Sequence, residues 1–410
     1  MSLREDAKQI IAEALQSALP DEAVKKALEN ADFGSGKLIL VSVGKAGWQM
    51  AEAAFEILGN RIDEGAVVTK YDHGKGPIGN LRIYEAGHPV PDENSFQATQ
   101  AVLDMVEGLK EEDTVLFLLS GGGSALFEKP LIDKKELDHL TKQLLACGAD
   151  IVEMNTIRKR VSAVKGGRFA KACAPARVFS IVLSDIIGSP LDMIASGPAY
   201  PDSTTSQQAI AILEKYHIQI SEQTREMLLR ETPKELTNVK AHVTGSVSLL
   251  CQATARACKK LGYETTILTD SLCCQAKEAG VFLSNIAQYH KNTSQNLAFV
   301  VGGETVVQIT GKGLGGRNQE LALAAAPGIA GFKNAAVFSI GSDGTDGPTD
   351  AAGGYVDGKT QEVLKEQGID IHEILLNNDS YHALKRCDGL IITGATGTNV
   401  NDVAVLLIRG

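Results

Sequence analysis

The sequence lacks the residue patterns of a disulfide-rich or zinc-dependent protein. Its seven cysteines are odd in number and contain no C-x-x-C pair, and its eight histidines contain no H-E-x-x-H. These absences argue against a disulfide framework, a zinc ribbon and the commonest zinc hydrolases. The adjacent pair Cys273-Cys274 could respond to oxidation, but a free cysteine is more often a small buried residue.

The sequence also lacks an excess of basic residues and any long apolar run. It has 40 Lys and Arg against 50 Asp and Glu, a formal charge of -10, and no basic clusters of the kind that bind nucleic acid. No run reaches the roughly 18 apolar residues of a membrane span, and residues 1–6 carry no basic region followed by an apolar core. We therefore expect a cytoplasmic protein that acts on a small soluble substrate, with no nucleic-acid or membrane partner. The oligomeric state, monomer or homodimer, stays open.

Strand and helix patterns alternate along most of the chain. Predicted strands cover 37–43, 65–70, 114–119, 178–183, 264–269, 297–301, 305–310 and 335–340, and predicted helices cover 3–19, 48–58, 95–109, 134–147, 247–261, 275–289 and 321–326. The alternation predicts an α/β fold with a mostly parallel sheet covered on both faces. A polar, proline-broken stretch at 232–240 divides the chain. We expect a larger Rossmann-like N-terminal domain, 1–236, and a smaller C-terminal α/β domain, 237–410.

Four apolar runs end in glycine-rich turns that carry a hydroxyl or charged side chain. They are 41–45, 118–124, 306–313 and 338–344. Ligands of parallel sheets bind at the carboxyl ends of the strands, and turns of this kind point backbone N–H groups into a common space. The sequence thus predicts an anion site, most simply for phosphate.

Two stretches match nucleotide-binding motifs. Residues 353–360 fit the P-loop pattern, but 346–352 cannot form the buried strand that a P-loop requires, so we interpret 357–360 as the start of a helix. Residues 311–316 fit G-x-G-x-x-G between a predicted strand and a predicted helix, which keeps an NAD-dependent reductase open. The acidic residue expected about twenty positions later is missing, which favours phosphate or substrate binding there.

Basic and hydroxyl groups near these turns are candidates for binding an anionic substrate. Lys45 lies close to two glycines and opens a helix, so its ammonium can extend over the sheet edge. Residues 120–124 form a nest with three consecutive glycines, which lose much entropy on ordering unless a ligand requires them. Segment 154–168 holds five basic residues. Such a run is usually a solvated face, and Arg158 and Lys165 are its candidates for contact with substrate.

Acidic residues also stand at strand ends. Asp185, Glu304 and Asp343 each follow an apolar strand-like run, and carboxylates beside phosphate-binding turns hold Mg²⁺ or accept a proton from a substrate hydroxyl. Arg317 could brace a phosphoryl group in transfer. A basic residue, anion nests, carboxylates and an arginine together suit phosphoryl transfer to a small acid.

Seven spaced segments resemble one family over nearly the whole chain. They are 119–125, 155–168, 183–198, 302–305, 315–320, 342–350 and 396–402. In these segments the chain resembles the glycerate 2-kinases of the MOFRL family, some of which are labelled hydroxypyruvate reductases. The resemblance implies a kinase that depends on ATP and Mg²⁺ and phosphorylates D-glycerate on its 2-hydroxyl, with its active site in the cleft between two α/β domains.

The resemblance also carries over to individual residues. It implies catalytic roles for Lys45, Arg317 and Asp185, and a metal-binding role for Asp185, Glu304 and Asp343. The residues expected to bind substrate or nucleotide are Gly44, Ser120, Gly121, Gly122, Gly123, Ser124, Asn155, Arg158, Lys165, Gly303, Gly316, Asn318 and Asp343.

The chain departs from the family pattern at two places. Residues 186–189 read Ile-Ile-Gly-Ser, where an acidic residue commonly follows the glycine, and Ala395 stands where proline is usual. Asp185 is therefore expected to work without a second aspartate. Two alternatives stay open, an NAD(P)H-dependent hydroxypyruvate reductase and a non-catalytic binding protein, and so does the choice between the 2- and the 3-hydroxyl.

Overall fold

The computed structural model describes residues 2–184 and 190–410. Its helices are α1 (Leu3–Ser17), α2 (Pro20–Leu28), α3 (Gly47–Leu58), α4 (Glu93–Val106), α5 (Gly123–Leu126), α6 (Lys134–Ala146), α7 (Ile151–Arg158), α8 (Arg168–Cys173), α9 (Ser206–Lys215), α10 (Glu222–Leu229), α11 (Val247–Lys260), α12 (Ala276–Tyr289), α13 (Arg317–Ala325), α14 (Thr360–Glu366), α15 (Ile371–Leu376) and α16 (Ser380–Arg386). Its strands are β1 (Leu38–Val43), β2 (Glu64–Lys70), β3 (Arg82–Ala86), β4 (Thr114–Leu119), β5 (Arg177–Leu183), β6 (Val239–Gly245), β7 (Glu264–Leu272), β8 (Leu297–Gly303), β9 (Ala335–Gly341), β10 (Gly353–Asp357), β11 (Leu390–Ile391) and β12 (Asp402–Ile408).

The chain divides into two compact units. The first unit is Ala23–Thr244, and the second unit joins Met1–Glu22 to Gly245–Gly410. Each unit is built around one six-stranded sheet. The predicted two-domain α/β architecture is confirmed.

The sheet of the first unit is parallel in its centre. Its order is β3-β2-β1-β4-β5-β6, and the pairs from β3 to β5 are all parallel. Every residue of β1 and β4 is buried, and alternate side chains enter cores on opposite faces, as Val41 and Leu40 do. This burial on both faces explains why these strands are continuously apolar rather than alternating. The carboxyl ends of β3, β2, β1 and β4 all lie at one edge of the sheet.

The sheet of the second unit is mostly antiparallel. Its order is β11-β10-β9-β12-β8-β7, and β7/β8 is its one parallel pair among the described strands. Strand β12 runs between β8 and β9 in the opposite direction, with Asp402 opposite both Gly303 and Gly341. The start of β12 therefore lies at the same edge as the ends of β8 and β9.

Helix α1 belongs to the second unit, although it precedes the first unit in the chain. Ser2 and Glu5 form a capping box at its start, and its apolar stripe, which includes Ile10 and Ala14, packs into a core with α11 and the second sheet. The division expected at 236/237 differs from these units in two ways. It assigned α1 to the N-terminal domain, and it placed β6, an edge strand of the first sheet, in the C-terminal one.

One predicted strand is wrong. Residues 305–310 do not form a strand, because β8 ends at Gly303 and the only ladder contact of this stretch is a single bridge between Gln275 and Val306. Residues 353–357, which begin the P-loop match, form strand β10 paired with β9, and α14 begins at Thr360. Residues 353–360 therefore do not form a P-loop, because their first five residues are a strand rather than a turn that follows one.

Candidate active site

The turn after β1 carries Lys45 at the carboxyl edge of the first sheet. The N–H of Lys45 donates to the carbonyl of Gly121 at 2.9 Å, and the N–H of Ala46 donates to Oγ of Ser120 at 3.1 Å. Gly44 has φ +124°, and a methyl group on it would lie 2.1 Å from Oγ of Ser120, so this close approach of two turns requires glycine. The Lys45 side chain is exposed and makes no ion pair within the described chain.

The glycine-rich turn after β4 lies beside Lys45 and carries free backbone donors. Ser120 is buried, and its hydroxyl links the two turns rather than facing outward. In the described part of the chain, the N–H groups of residues 121–124 have no hydrogen-bond acceptor. Gly122 has φ +87°. Four unpaired N–H groups beside the Lys45 side chain can bind an oxyanion, as the sequence predicts for this turn.

A chain of hydrogen bonds joins this turn to helix α7. Oγ of Ser124 lies 3.1 Å from Oγ of Ser196, which donates to Oδ1 of Asn155 at 2.9 Å. Ala195 and Ser196 are non-glycine residues with positive φ, 50° and 61°. Such strain collects at functional sites. The amide nitrogen of Asn155 has no acceptor among the described residues, so it is free to donate to a ligand.

The basic segment after Asn155 is mostly buried, so its interpretation as a solvated face is wrong. Lys159, Arg160 and Lys165 are each 0% exposed. Nζ of Lys165 donates to Glu128 at 2.7 Å and to the carbonyl of Phe127 at 3.0 Å, and burial lowers its pKa. The structure therefore gives Lys165 a buried partner and does not present it at the open turn. Arg158 is half-buried and has no ion pair in the described ranges.

Lys159 and Arg160 anchor the loop that carries Ser196. Nζ of Lys159 lies 3.1 Å from Asp192 and 3.0 Å from Asp202, and Arg160 pairs with Asp202 at 3.5 Å. Burial opposes ionisation of Asp202, but hydrogen bonds from Thr232, from the N–H of Thr204 and from Lys159 hold its pKa below the usual value. Asp192 lies three residues before Ala195, so this network anchors the segment that leads into the strained residues.

We expect Lys159→Met to lower the free energy of unfolding by about 3 to 5 kcal/mol. The substitution leaves the carboxylate of Asp202 buried with one of its two cations gone, and breaking a buried pair costs that much. Urea denaturation followed by circular dichroism measures the change. Lys171→Met, at an exposed lysine of α8, is the control, and equal stability of the two variants would contradict the buried network.

Arg317 begins α13 at the open edge of the second sheet. Its Nε and Nη2 donate to Asp402 at 2.6 and 3.1 Å, and its Nη1 donates to Glu304 at 2.9 Å. Partial burial opposes its charge, but Asp402 and Glu304 hold the pKa of Arg317 above its usual value. Burial raises the pKa of Asp402 even though Arg317 opposes the shift. Asp402 is a carboxylate of this candidate site that the sequence analysis did not select.

Asp346 caps α13 and so positions Arg317. Its carboxylate accepts the N–H groups of Asn318 at 3.1 Å and Gln319 at 2.8 Å. A methyl group on Gly316 would lie 2.3 Å from Cγ of Asp346, so the glycine admits this cap. Asn318 is buried, donates to Asp346 and accepts from Ser339, so its side chain organises the helix start.

We expect Asp346 to make stability depend on pH. Burial raises the pKa of Asp346 to about 6, against a value of about 3.9 in an unfolded chain, so the folded state binds the proton more tightly. Its contribution to stability is full below about pH 4 and is lost as pH rises through 6. From about pH 4.5 to pH 8, wild type should lose on the order of 2 kcal/mol relative to Asp346→Asn. Urea denaturation at both pH values measures this change, and a constant difference in stability between wild type and Asp346→Asn would refute it.

The structure describes two of the three carboxylates expected to bind metal, Glu304 and Asp343. Glu304 is exposed, and Oδ1 of Asp343 accepts the N–H of Thr345 at 3.0 Å. Asp185 lies outside the described residues. Within 2–184 and 190–410, no three His, Cys, Asp or Glu side chains are grouped so that they could hold a metal ion. Gly303, with φ +153°, ends β8 against the backbone of Leu272.

The G-x-G-x-x-G stretch packs against a neighbouring loop. The N–H groups of Gly311 and Lys312 donate to side chains of Asn378 and Asn377, and that of Leu314 donates to Asp379. A methyl group on Gly311 would lie 2.3 Å from the carbonyl of Asn377. Packing therefore accounts for these glycines, and the amides of residues 311–314 are not available to a dinucleotide pyrophosphate.

Known proteins match this chain over its full length. A model of the MOFRL family matches residues 297–402, and a model described as a domain of unknown function (DUF4147) matches 6–229. The D-glycerate 2-kinase of Thermotoga maritima is 52% identical over 413 residues, which cover 99% of both chains. The chain belongs to the MOFRL family of glycerate 2-kinases. The predicted family is therefore confirmed.

A second relative and a solved structure agree with this assignment. The glycerate 2-kinase of Pyrococcus horikoshii is 40% identical over 435 residues, covering 100% of this chain and 98% of its own. A crystal structure of glycerate kinase from T. maritima has a TM-score of 0.95 at 51% identity, with 99% of both chains covered. None of the helices described is long and apolar enough to cross a bilayer.

The two units thus present different parts of the expected machinery. The first unit brings together Gly44, Lys45, the turn 120–124 and, through Ser196, Asn155. The second unit brings together Arg317, Glu304 and Asp402 at one edge, with Gly303 and Gly341 two strand spacings apart, about 10 Å.

Proposed function

We propose that this MOFRL-family protein transfers the γ-phosphoryl group of ATP to the 2-hydroxyl of D-glycerate, giving 2-phosphoglycerate and ADP. The observation that carries the proposal is the set of unpaired N–H groups at 121–124 beside the side chain of Lys45, which makes no ion pair with a described residue. These donors lie in a chain that is 52% identical to a D-glycerate 2-kinase over 99% of its length. We also propose a cytoplasmic location and no nucleic-acid or membrane partner.

The first unit supplies donors for bound anions. Lys45 and the amides of 121–124 hold an oxyanion, while Arg158 and the free amide nitrogen of Asn155 orient the other anionic group. These donors are fixed before the ligand arrives, because Ser120 ties the two turns together. Preorganised donors stabilise charge that develops in the transition state more than charge already present in the substrate.

The second unit supplies a guanidinium in a fixed orientation. Arg317 is clamped by Asp402 on two nitrogens and by Glu304 on the third, so little rotamer entropy is lost when it meets the γ-phosphoryl group. Asp185 or Asp343 accepts the proton of the 2-hydroxyl as the new O–P bond forms and the bond to ADP breaks.

Mg²⁺ fits the carboxylates of the second unit. It binds through one or two carboxylates together with phosphate oxygens rather than in an all-protein cage. One carboxylate oxygen of Glu304 accepts a hydrogen bond from Arg317, and one of Asp343 accepts from the N–H of Thr345. The second oxygen of each carboxylate stays available to a ligand. Glu304 and Asp343 would hold the ion, with Asp185 as the third candidate. The bound ion would neutralise charge on the transferring phosphate.

The experiment that tests the proposal is ³¹P NMR of the product made from ATP, Mg²⁺ and D-glycerate. A resonance that splits with the proton on C2 shows 2-phosphoglycerate, and one that splits with the C3 protons shows 3-phosphoglycerate. Formation of ADP without a phosphoglycerate would contradict the proposal.

The reductase alternative has a direct test. The amides of residues 311–314, the first four of the G-x-G-x-x-G stretch, are engaged by 377–379, so we expect no oxidation of NADH or NADPH when the protein is mixed with hydroxypyruvate. Loss of nicotinamide absorbance at the rate of known dehydrogenases would reverse this assignment.

A further inference from the structure

A histidine that the sequence analysis did not select lies against the glycine-rich turn. His88 follows β3 at the carboxyl edge of the first sheet and is half-buried. A methyl group on Gly122 would lie 3.0 Å from Cδ2 and 3.1 Å from Nε2 of His88, and 3.2 Å from Cγ of Lys45. The Nε2 edge of the imidazole and the stem of Lys45 therefore flank the same glycine.

The imidazole of His88 makes no hydrogen bond within the described chain. Neither of its nitrogens has a hydrogen-bond partner there, and neither is sealed from solvent. His73, in contrast, is held by its Nδ1, which lies 3.0 Å from the carbonyl of Lys45. His88 thus places ring nitrogens that are free within the described chain beside Gly122, one of the residues with an unpaired N–H.

The surroundings of His88 are positive. Burial first, and then the charges of Lys45, Lys70 and His73, lower the pKa of His88. The imidazole is accordingly neutral at neutral pH and carries one N–H donor and one acceptor. An anion bound at this edge would compensate the neighbouring charges of Lys45 and Lys70 and could accept that N–H.

We propose that His88 is a further ligand-binding residue, whose Nε2–H donates to the oxyanion held by Lys45 and the amides of 121–124. This inference rests on the proposed function, because that function supplies the ligand. The oxyanion is a phosphate group of the nucleotide or the carboxylate of glycerate. Both offer negatively charged oxygens that accept short, charge-assisted hydrogen bonds.

Calorimetric titration of the full-length protein with ADP and, separately, with D-glycerate tests the inference. His88→Leu removes the donor and should weaken binding of the ligand that occupies the turn by about tenfold to a hundredfold. The affinity for the other ligand should stay within about twofold of the wild-type value. The ligand that is weakened identifies the oxyanion. His88→Gln keeps an N–H donor and should recover part of the loss.

The control is His372→Leu, at an exposed histidine of α15, for which wild-type binding of both ligands is expected. If His88→Leu fails to fold, His88→Phe keeps a ring and still lacks the donor, and it is measured instead. Wild-type affinity for both ligands in the variant without a donor would overturn the inference, as would a wild-type protein that binds neither ligand.

Binding is measured without turnover, so the two proposals fail separately. A protein that binds ADP through His88 but forms no phosphoglycerate contradicts the proposed function and leaves the His88 contact standing. A protein that forms 2-phosphoglycerate at the same rate and with the same affinities after His88→Leu contradicts only the inference about His88.

Discussion

Lys45→Ala should lower kcat by at least about 10²-fold while the protein stays folded. The side chain is exposed and has no hydrogen-bond or ion-pair partner in the described chain, so its loss breaks no such bond. What it removes is a cation beside the unpaired amides of 121–124, where charge on the phosphoryl group is to be stabilised. Loss of one such preorganised group typically costs about 10² to 10³ in rate.

A coupled assay of ADP formation at saturating ATP and D-glycerate measures the effect of Lys45→Ala. Thermal unfolding should be unchanged, which separates this effect from misfolding. Lys142→Ala, at an exposed lysine of α6 in the same unit, is the matched control and should keep wild-type turnover. Lys45→Arg keeps the charge but changes its geometry, so we expect partial activity. A kcat for Lys45→Ala within threefold of wild type would remove Lys45 from the mechanism.

The first sheet could be predicted from the sequence because its signals are local. Strands β1, β4 and β5 are continuous apolar runs, and the helices between them have regular apolar spacing. The second sheet depends on distant pairing. Strand β12, near the end of the chain, inserts antiparallel between β8 and β9, and no local pattern indicates that choice.

The same pairing explains why Asp402 was missed. Parallel strands collect ligands at their carboxyl ends, and the predicted carboxylates are therefore ones that follow a strand in the sequence. Asp402 begins a strand, and only its antiparallel direction brings it beside Gly303 and Gly341. The segment 396–402 was part of the family resemblance, which was the one available signal.

The buried lysines show a second limit of sequence reasoning. Lys159 and Lys165 stand in a basic run, which normally indicates solvent exposure. Their partners Glu128, Asp192 and Asp202 are about 30 to 40 positions away along the chain, so only the folded structure pairs them. Charge patterns within a segment cannot predict ion pairs that tertiary contacts create.

Arg317→Ala should have the largest effect on activity, a fall in kcat/KM of about 10³-fold or more. Its guanidinium is oriented by two carboxylates and is proposed to meet the phosphoryl group, so both its charge and its geometry are lost. Removal of an arginine that stabilises the charge of phosphoryl transfer costs about 10³ to 10⁵. Arg317→Lys keeps the charge without the bidentate contact, so we expect a smaller defect.

Arg317→Ala should also reduce stability, and this has to be separated from the effect on catalysis. Asp402 is 7% exposed and would lose its only bidentate partner within the described residues. We expect a loss of about 1 to 3 kcal/mol, because Arg317 is 34% exposed and water screens part of the pair. The loss should grow as pH rises, because burial already raises the pKa of Asp402 and the unpaired carboxyl would hold its proton to a higher pH in the folded state.

The double variant Arg317→Ala/Asp402→Asn separates the two roles. Asparagine removes the buried charge, so the double variant should recover most of the lost stability. The added dependence of stability on pH should disappear, as urea denaturation at about pH 5 and pH 8 can show. Turnover should stay as low as in Arg317→Ala, because neither substitution returns a cation to the site. Arg256→Ala, at an exposed arginine of α11, controls for loss of positive charge in the same unit. If stability and activity recover together, Arg317 is a structural residue and another cation must stabilise the phosphoryl group.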